Sequence, residues 1–337
     1  MLRRSALAVL GLAVLCAVPV MVGCGGGNTG ADDGGGDGWT QPATGPGSAV
    51  YPHAACESFQ SGTAAQDFTL FTPASPRPAS APVIVFSHGW SWVEPSIYGA
   101  WLSHIARRGN IVICPRYQAL ALDANGSAFL PNAIAGVKAA IQRLQTAGPV
   151  QPDLTKFALL GHSVGGTLTA DMAAVWAANG LPRPLAVFSV EPGTLSDGLG
   201  LNYPDDVTEA DFSQIAAGTL LVSLQGSDDA LVGSRMAVKV YQESTGVAAG
   251  DKNLLTVRTD THNGETLTAD HYFPRGDVGE TAALTPLDFY GLWKIFDGLT
   301  DAAFYGTNRA YALGNTPQQR YMGAWPDGTP IRELEVE

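Results

Sequence analysis

Gly161-His162-Ser163-Val164-Gly165 lies directly behind the apolar run Phe157-Ala158-Leu159-Leu160 and ahead of a stretch with helical spacing. A chain that enters such a turn from a buried run and leaves it as a helix folds as strand, tight turn, helix, the arrangement of a nucleophile elbow. The two glycines leave room for close backbone approach, and the strained turn lifts the serine hydroxyl clear of the chain. A hydroxyl is a weak nucleophile, so chemistry at Ser163 requires a neighbouring base and N–H donors for the charge that develops on the attacked oxygen.

The rest of the chain repeats the strand-then-helix order. Runs at Gln66–Phe71, Val83–Ser87, Asn110–Cys114, Leu185–Val190, Thr219–Gln225 and Asn253–Thr259 have strand character. Between them, Ile97, Trp101 and Ile105 mark one buried helical stripe, and Ile134, Val137, Ile141 and Leu144 mark another. Helices are expected at about 97–108, 131–146, 165–179 and 286–298. Sequential βα units require right-handed crossovers, which gather the loops after the strands on one edge of the sheet. The expected class is α/β, a mostly parallel, doubly wound sheet with helices on both faces.

With the elbow, the strand Pro82–Ser87 running into His88-Gly89-Trp90, and the order of the later loops, the sequence resembles the α/β-hydrolase family from about Tyr51 to about Gly298. The resemblance implies an oxyanion hole made by the backbone N–H groups of Val164 and Trp90. It also implies an acid and then a histidine downstream of the serine. Asp229, in Gly226-Ser227-Asp228-Asp229-Ala230-Leu231-Val232, is the expected acid because it precedes an apolar pair, whereas Asp228 suits solvent or the turn. Glu191, directly behind a strand, is a third candidate. His262, in the loop after the last strand, is the expected base, and His271 in Ala269-Asp270-His271-Tyr272-Phe273 is its rival, further from the strand end. Imidazole suits this role because its ordinary pKa near 6.5 lets it take and return a proton near neutral pH. Trp90 and Trp92 flank the expected oxyanion hole and are candidates for the wall of an acyl pocket.

The N-terminus addresses location. Met1-Leu2-Arg3-Arg4 is a positive start, Ser5 to Val22 is mainly small and apolar, and Met21-Val22-Gly23-Cys24 resembles a bacterial lipobox. The resemblance implies a signal peptide over 1–23, lipidation of Cys24 and a protein tethered to a membrane in the cell envelope, facing periplasm or exterior, without spanning it. Residues 24–50 then read as a flexible tether rich in Gly, Asp and Pro, and 51–337 as the α/β-hydrolase domain with a C-terminal extension. In an oxidising compartment Cys56 and Cys114 are candidates for a disulfide.

A formal net charge of −12 with no basic cluster argues against nucleic acid as a partner. The segment between Glu191 and Phe212, where this fold inserts a cap, is short and polar, so a large helical lid is not expected. Together these readings describe a serine hydrolase that cleaves small-molecule or polymeric carboxylic esters through an acyl-enzyme, with no metal and no organic cofactor. A lipase, an amidase or an acyltransferase would use the same residues. The contrasting class is a non-catalytic surface lipoprotein that binds a ligand.

Overall fold

The computed structural model describes residues 38–201, 203–275 and 284–337, together with the backbone of 22–24. Residues 1–21 of the expected signal peptide, residues 25–37 of the expected tether and the Cys24 side chain lie outside the described residues, whereas the backbone of Val22, Gly23 and Cys24 is described as a short edge strand. Among the described residues no helix is long and apolar enough to cross a membrane.

The strands are β1 (Val22–Cys24), β2 (Ala55–Gln60), β3 (Phe68–Ala74), β4 (Ser80–Ser87), β5 (Ile111–Pro115), β6 (Gln151–His162), β7 (Ala186–Val190), β8 (Leu220–Gly226) and β9 (Lys252–Val257). A short hairpin, β10 (Asp260–His262) and β11 (Glu265–Leu267), follows, and β12 (Glu335–Val336) closes the chain. The main sheet has the order β1-β2-β3-β5-β4-β6-β7-β8-β9-β12. Its centre, from β5 to β9, is parallel, and β1, β2, β3 and β12 pair antiparallel at the two edges.

The parallel strands are apolar on both sides, as strands covered by helices on each face must be. Alternate residues feed different cores. Ile84, Phe86, Leu160 and Phe188 pack toward Trp101, Leu102 and Ile105 of α1 (Gly99–Arg107) and Ile295, Phe296 and Leu299 of α6 (Lys294–Tyr305). Val83, Val85, Leu159 and Val187 face the other way. They pack toward Val137 and Leu144 of α2 (Phe129–Ala147), Leu168 and Met172 of α3 (Val164–Val175), and Met236 and Val240 of α5 (Arg235–Glu243). Each fully buried Phe, Leu or Ile contributes about 1.5–3 kcal/mol, so the two cores anchor the strands whose ends carry the loops of the site. The doubly wound class expected from the sequence is the one observed. Between β7 and β8 the helical content is the one-turn α4 (Leu195–Gly198) and a short 3₁₀ turn at Phe212–Gln214.

Three expectations change. The segment 38–50 is not a loose tether: Trp39 is buried against Trp325 with ring centroids 5.3 Å apart, and the Gly47 N–H donates to the buried Asp297 carboxylate at 2.8 Å. A single large aromatic and one charge-assisted bond fix a stretch whose composition alone favours mobility. Cys56 and Cys114 are not joined, because β3 lies between their strands and they stand opposite Pro73 and Thr69 of it. The helix expected from Pro286 begins instead as a π-helical stretch, Leu287–Trp293, and then runs as α6 to Tyr305.

Candidate active site

At the end of β6 the chain turns into α3 through Ser163, whose φ of 61° and ψ of −129° lie where a non-glycine residue is strained by about 1–3 kcal/mol. The surroundings enforce it. A Cβ on Gly161 would fall 2.2 Å from the Gly165 carbonyl oxygen, and one on Gly165 would fall 2.1 Å from that of Ser87. The Ser163 N–H donates to Val190 O at 3.0 Å, and its carbonyl accepts from Gly166 and Thr167, so the elbow is tied to β7 and to the first turn of α3.

His271, not His262, meets the serine. Its Nε2 lies 2.9 Å from Ser163 Oγ, and its Nδ1 lies 2.8 Å from Asp229 Oδ2. Both histidine and carboxylate are buried, and the other Asp229 oxygen accepts the Leu231 and Val232 N–H groups at 2.9 and 3.0 Å. With a carboxylate accepting at Nδ1, the imidazole is held as the tautomer that presents a lone pair to the serine hydroxyl. Asp228 faces outward and accepts from the Thr259 hydroxyl at 2.7 Å.

The expectation for His262 is therefore corrected. Its side chain sits in the β10–β11 hairpin, 2.7 Å from Asp327 and packed near Trp325. The hairpin carries the chain away from β9 and back, and the Asp228 N–H then takes Ala269 O at 3.0 Å, which sets His271 over the elbow. The signal was present in the sequence: Asn263-Gly264 is a strong hairpin turn, and these residues take φ values of 50° and 87°.

Val164 is the first residue of α3, so its N–H has no intrahelical acceptor. Gly89 abuts Ser163, since a Cβ there would lie 3.3 Å from Ser163 Cβ. The adjacent peptide is aimed: Gly89 O accepts from Trp92 N–H at 3.0 Å and contacts His88 Nδ1 at 2.7 Å. Since a trans peptide points its C=O and N–H in opposite directions, the Trp90 N–H faces away from those donors. Burial lowers His88 to a pKa of about 4, so its ring is neutral. The two tryptophans part company. Trp92 stacks on His162 at 5.4 Å and lies 6.4 Å from His271, whereas the Trp90 indole donates to Asp123 O and packs edge-on against Tyr203.

Glu191 lies beside His271, fully buried and with φ of 42°. Its Oε2 is 3.3 Å from His162 Nε2 and 4.0 Å from His271 Nδ1. Burial pushes its carboxyl well above the ordinary range, with the nearby Asp229 and Asp270 charges adding to the effect, and burial pushes His162 down. His162, Glu191 and His271 offer ligand atoms within 4.8 Å of one another, but the two ring nitrogens concerned are already engaged with carboxylates. The strand-end position of Glu191 was visible in the sequence; its approach to the base through His162 was not.

The mostly parallel sheet with helices on both faces is consistent with the α/β-hydrolase type of fold, and Ser163, His271 and Asp229 meet at one edge of it. A family model described as Chlorophyllase, an α/β-hydrolase-like esterase family, matches residues 49–194, so the chain is similar to that family over a stretch that includes His88-Gly89-Trp90, the elbow and Glu191. Asp229 and His271 lie beyond the matched stretch and are placed by the fold. No curated protein matches the chain.

Proposed function

We propose that this chain is a serine hydrolase of carboxylic esters. The observation that carries the reading is His271, bridging Ser163 Oγ and the Asp229 carboxylate within hydrogen-bond distance on both sides. The similarity to Chlorophyllase over 49–194 supports an ester as the substrate class. Ser163 Oγ attacks the ester carbonyl carbon while its proton passes to His271 Nε2, and Asp229 stabilises the imidazolium. The carbonyl oxygen takes the negative charge and accepts from Val164 and Trp90 N–H. Collapse expels the alcohol, which takes the proton from His271. Water, deprotonated by the same ring, then attacks the acyl carbon and releases the acid and Ser163. Each step uses side chains already at the site, and Trp92, beside the base, borders the space for the acyl or alcohol part.

The test is labelling with a fluorophosphonate and turnover of a p-nitrophenyl ester. Wild type is expected to label at Ser163 and turn over, and Ser163→Ala to lose turnover by a factor on the order of a million. Turnover by purified Ser163→Ala at the wild-type rate contradicts the assignment. The envelope location is proposed on the same footing, from the lipobox resemblance of Met21-Val22-Gly23-Cys24. Intact-mass measurement of membrane-extracted protein is expected to begin at an acylated Cys24, and a mature chain that retains residues before it overturns the anchor.

A further inference from the structure

Between the oxyanion loop and the base lies a file of buried polar groups that the reaction steps above do not use. Gly89 N–H donates to Tyr98 Oη at 2.9 Å, Tyr98 Oη lies 2.9 Å from His162 Nδ1, and His162 Nε2 lies 3.3 Å from Glu191 Oε2. One assignment of protons makes every bond in the file: Tyr98 donates to His162 Nδ1, and His162 Nε2–H donates to Glu191 Oε2, which leaves Glu191 Oε1 buried without a partner among the described residues. That assignment needs a neutral phenol and a neutral imidazole. Burial holds both in those forms, raising the tyrosine and lowering the histidine. Tyr98, His162 and Glu191 are all fully buried, so no water competes for these bonds.

The file has two working ends. At one end, Tyr98 holds the Gly89 N–H and Trp92 N–H holds the Gly89 carbonyl, so both peptides flanking Gly89 are fixed and the Trp90 N–H, which belongs to the second of them, has one direction. At the other end, Glu191 stands 4.0 Å from His271 Nδ1, beside the Asp229 carboxylate. Trp92, stacked on His162 and 5.9 Å from the Tyr98 ring, roofs the file. Resting on the serine-hydrolase reading, we propose that Tyr98 and His162 are positioning residues that lock the oxyanion loop to Glu191 and, beside it, the Asp229–His271 pair, so that the oxyanion donor and the proton acceptor are set by one rigid unit.

An oxyanion donor acts only on charge that appears in the transition state, and losing one costs about 100- to 1000-fold. Loosening its support has a smaller effect of the same kind. Tyr98→Phe, which keeps the ring and removes the hydroxyl, is expected to lower kcat about 10- to 100-fold, leave KM nearly unchanged, and weaken binding of an alkyl boronic acid, which mimics the tetrahedral adduct, by the same factor. Fluorophosphonate labelling of wild type at Ser163 is measured first, since its absence removes the reading on which the file depends. With wild type active, a Tyr98→Phe enzyme of full kcat and full boronate affinity, or one changed in KM alone, overturns the proposal and leaves the hydrolase reading intact. A double-mutant cycle with His162→Leu sharpens it, because two breaks in one file are expected to cost no more than the worse of them, and additive losses contradict it. Should His162→Leu fail to fold, by circular dichroism, the Tyr98→Phe boronate measurement decides alone.

Discussion

Two histidine–aspartate pairs of nearly equal length stand at opposite extremes of environment. His271 and Asp229 meet at 2.8 Å with side chains 4% and 0% exposed, whereas His262 and Asp327 meet at 2.7 Å with side chains 26% and 49% exposed. Contact length alone does not tell them apart, although Asp229 meets its histidine at Nδ1 and Asp327 meets its own at Nε2. The difference is what surrounds them. The buried pair has a serine at its far nitrogen, two backbone N–H groups on the carboxylate and a second carboxylate beneath it. The exposed pair has Asn263 and the face of Trp325, and it staples the β10–β11 hairpin to the C-terminal segment. Charge in water is screened, and such pairs contribute little; a charge that forms in a dry, prearranged site is stabilised strongly.

Substitution separates the pairs most widely at the histidines. His271→Ala is expected to lower kcat nearly as much as Ser163→Ala, at least about ten-thousand-fold, and His262→Ala by less than about threefold. Steady-state kinetics on one p-nitrophenyl ester checks both, and a crippled His262→Ala with a functional His271→Ala inverts the comparison. The aspartates come next. Asp229→Asn, which preserves shape but reverses the hydrogen bond that selects the tautomer, is expected to cost roughly ten-thousand-fold, and Asp327→Asn or Asp228→Ala little. Equal losses for Asp229→Asn and Asp228→Ala would show that the turn, not the buried carboxylate, is what matters.

Much of this contrast was legible in the sequence and one part was misread, for identifiable reasons. The elbow is legible because both glycines are steric requirements carried in one five-residue pattern: a Cβ on Gly161 would clash with Gly165 inside the turn, and one on Gly165 with the backbone of Ser87 and His88 beside it. Asp229 was distinguishable from Asp228 because the apolar Leu231-Val232 that follows it turns inward and donates its N–H groups to the carboxylate. Distance from the strand end favours His262 over His271, and that measure fails here because the β10–β11 hairpin, which holds His262, is inserted between the strand end and His271. The Asn263-Gly264 turn was the local clue. Nothing local marks the packing of Trp39 on Trp325 or the approach of Glu191 to the base, because each joins segments far apart in the chain.

The smallest expected effect is the acid response of the exposed pair. The hydrogen bond from His262, with two more from Thr329, lowers the Asp327 pKa from its ordinary 3.8 to about 2. A carboxylate lowered on folding adds stability above its ordinary pKa and loses it as pH falls through the folded value. The difference in thermal midpoint between wild type and Asp327→Asn is therefore expected to be small, to be present above about pH 4, and to vanish toward pH 2. A difference that grows as the pH falls contradicts the assignment of that bond.

The central claim is that Ser163 is activated by His271. It is tested most directly by the rate at which a fluorophosphonate forms its adduct on Ser163, followed by intact mass in wild type, His271→Ala and His262→Ala. Labelling at the wild-type rate in His262→Ala and labelling slowed by several orders of magnitude in His271→Ala is the predicted result. Unslowed labelling in His271→Ala, or slowed labelling in His262→Ala alone, contradicts it.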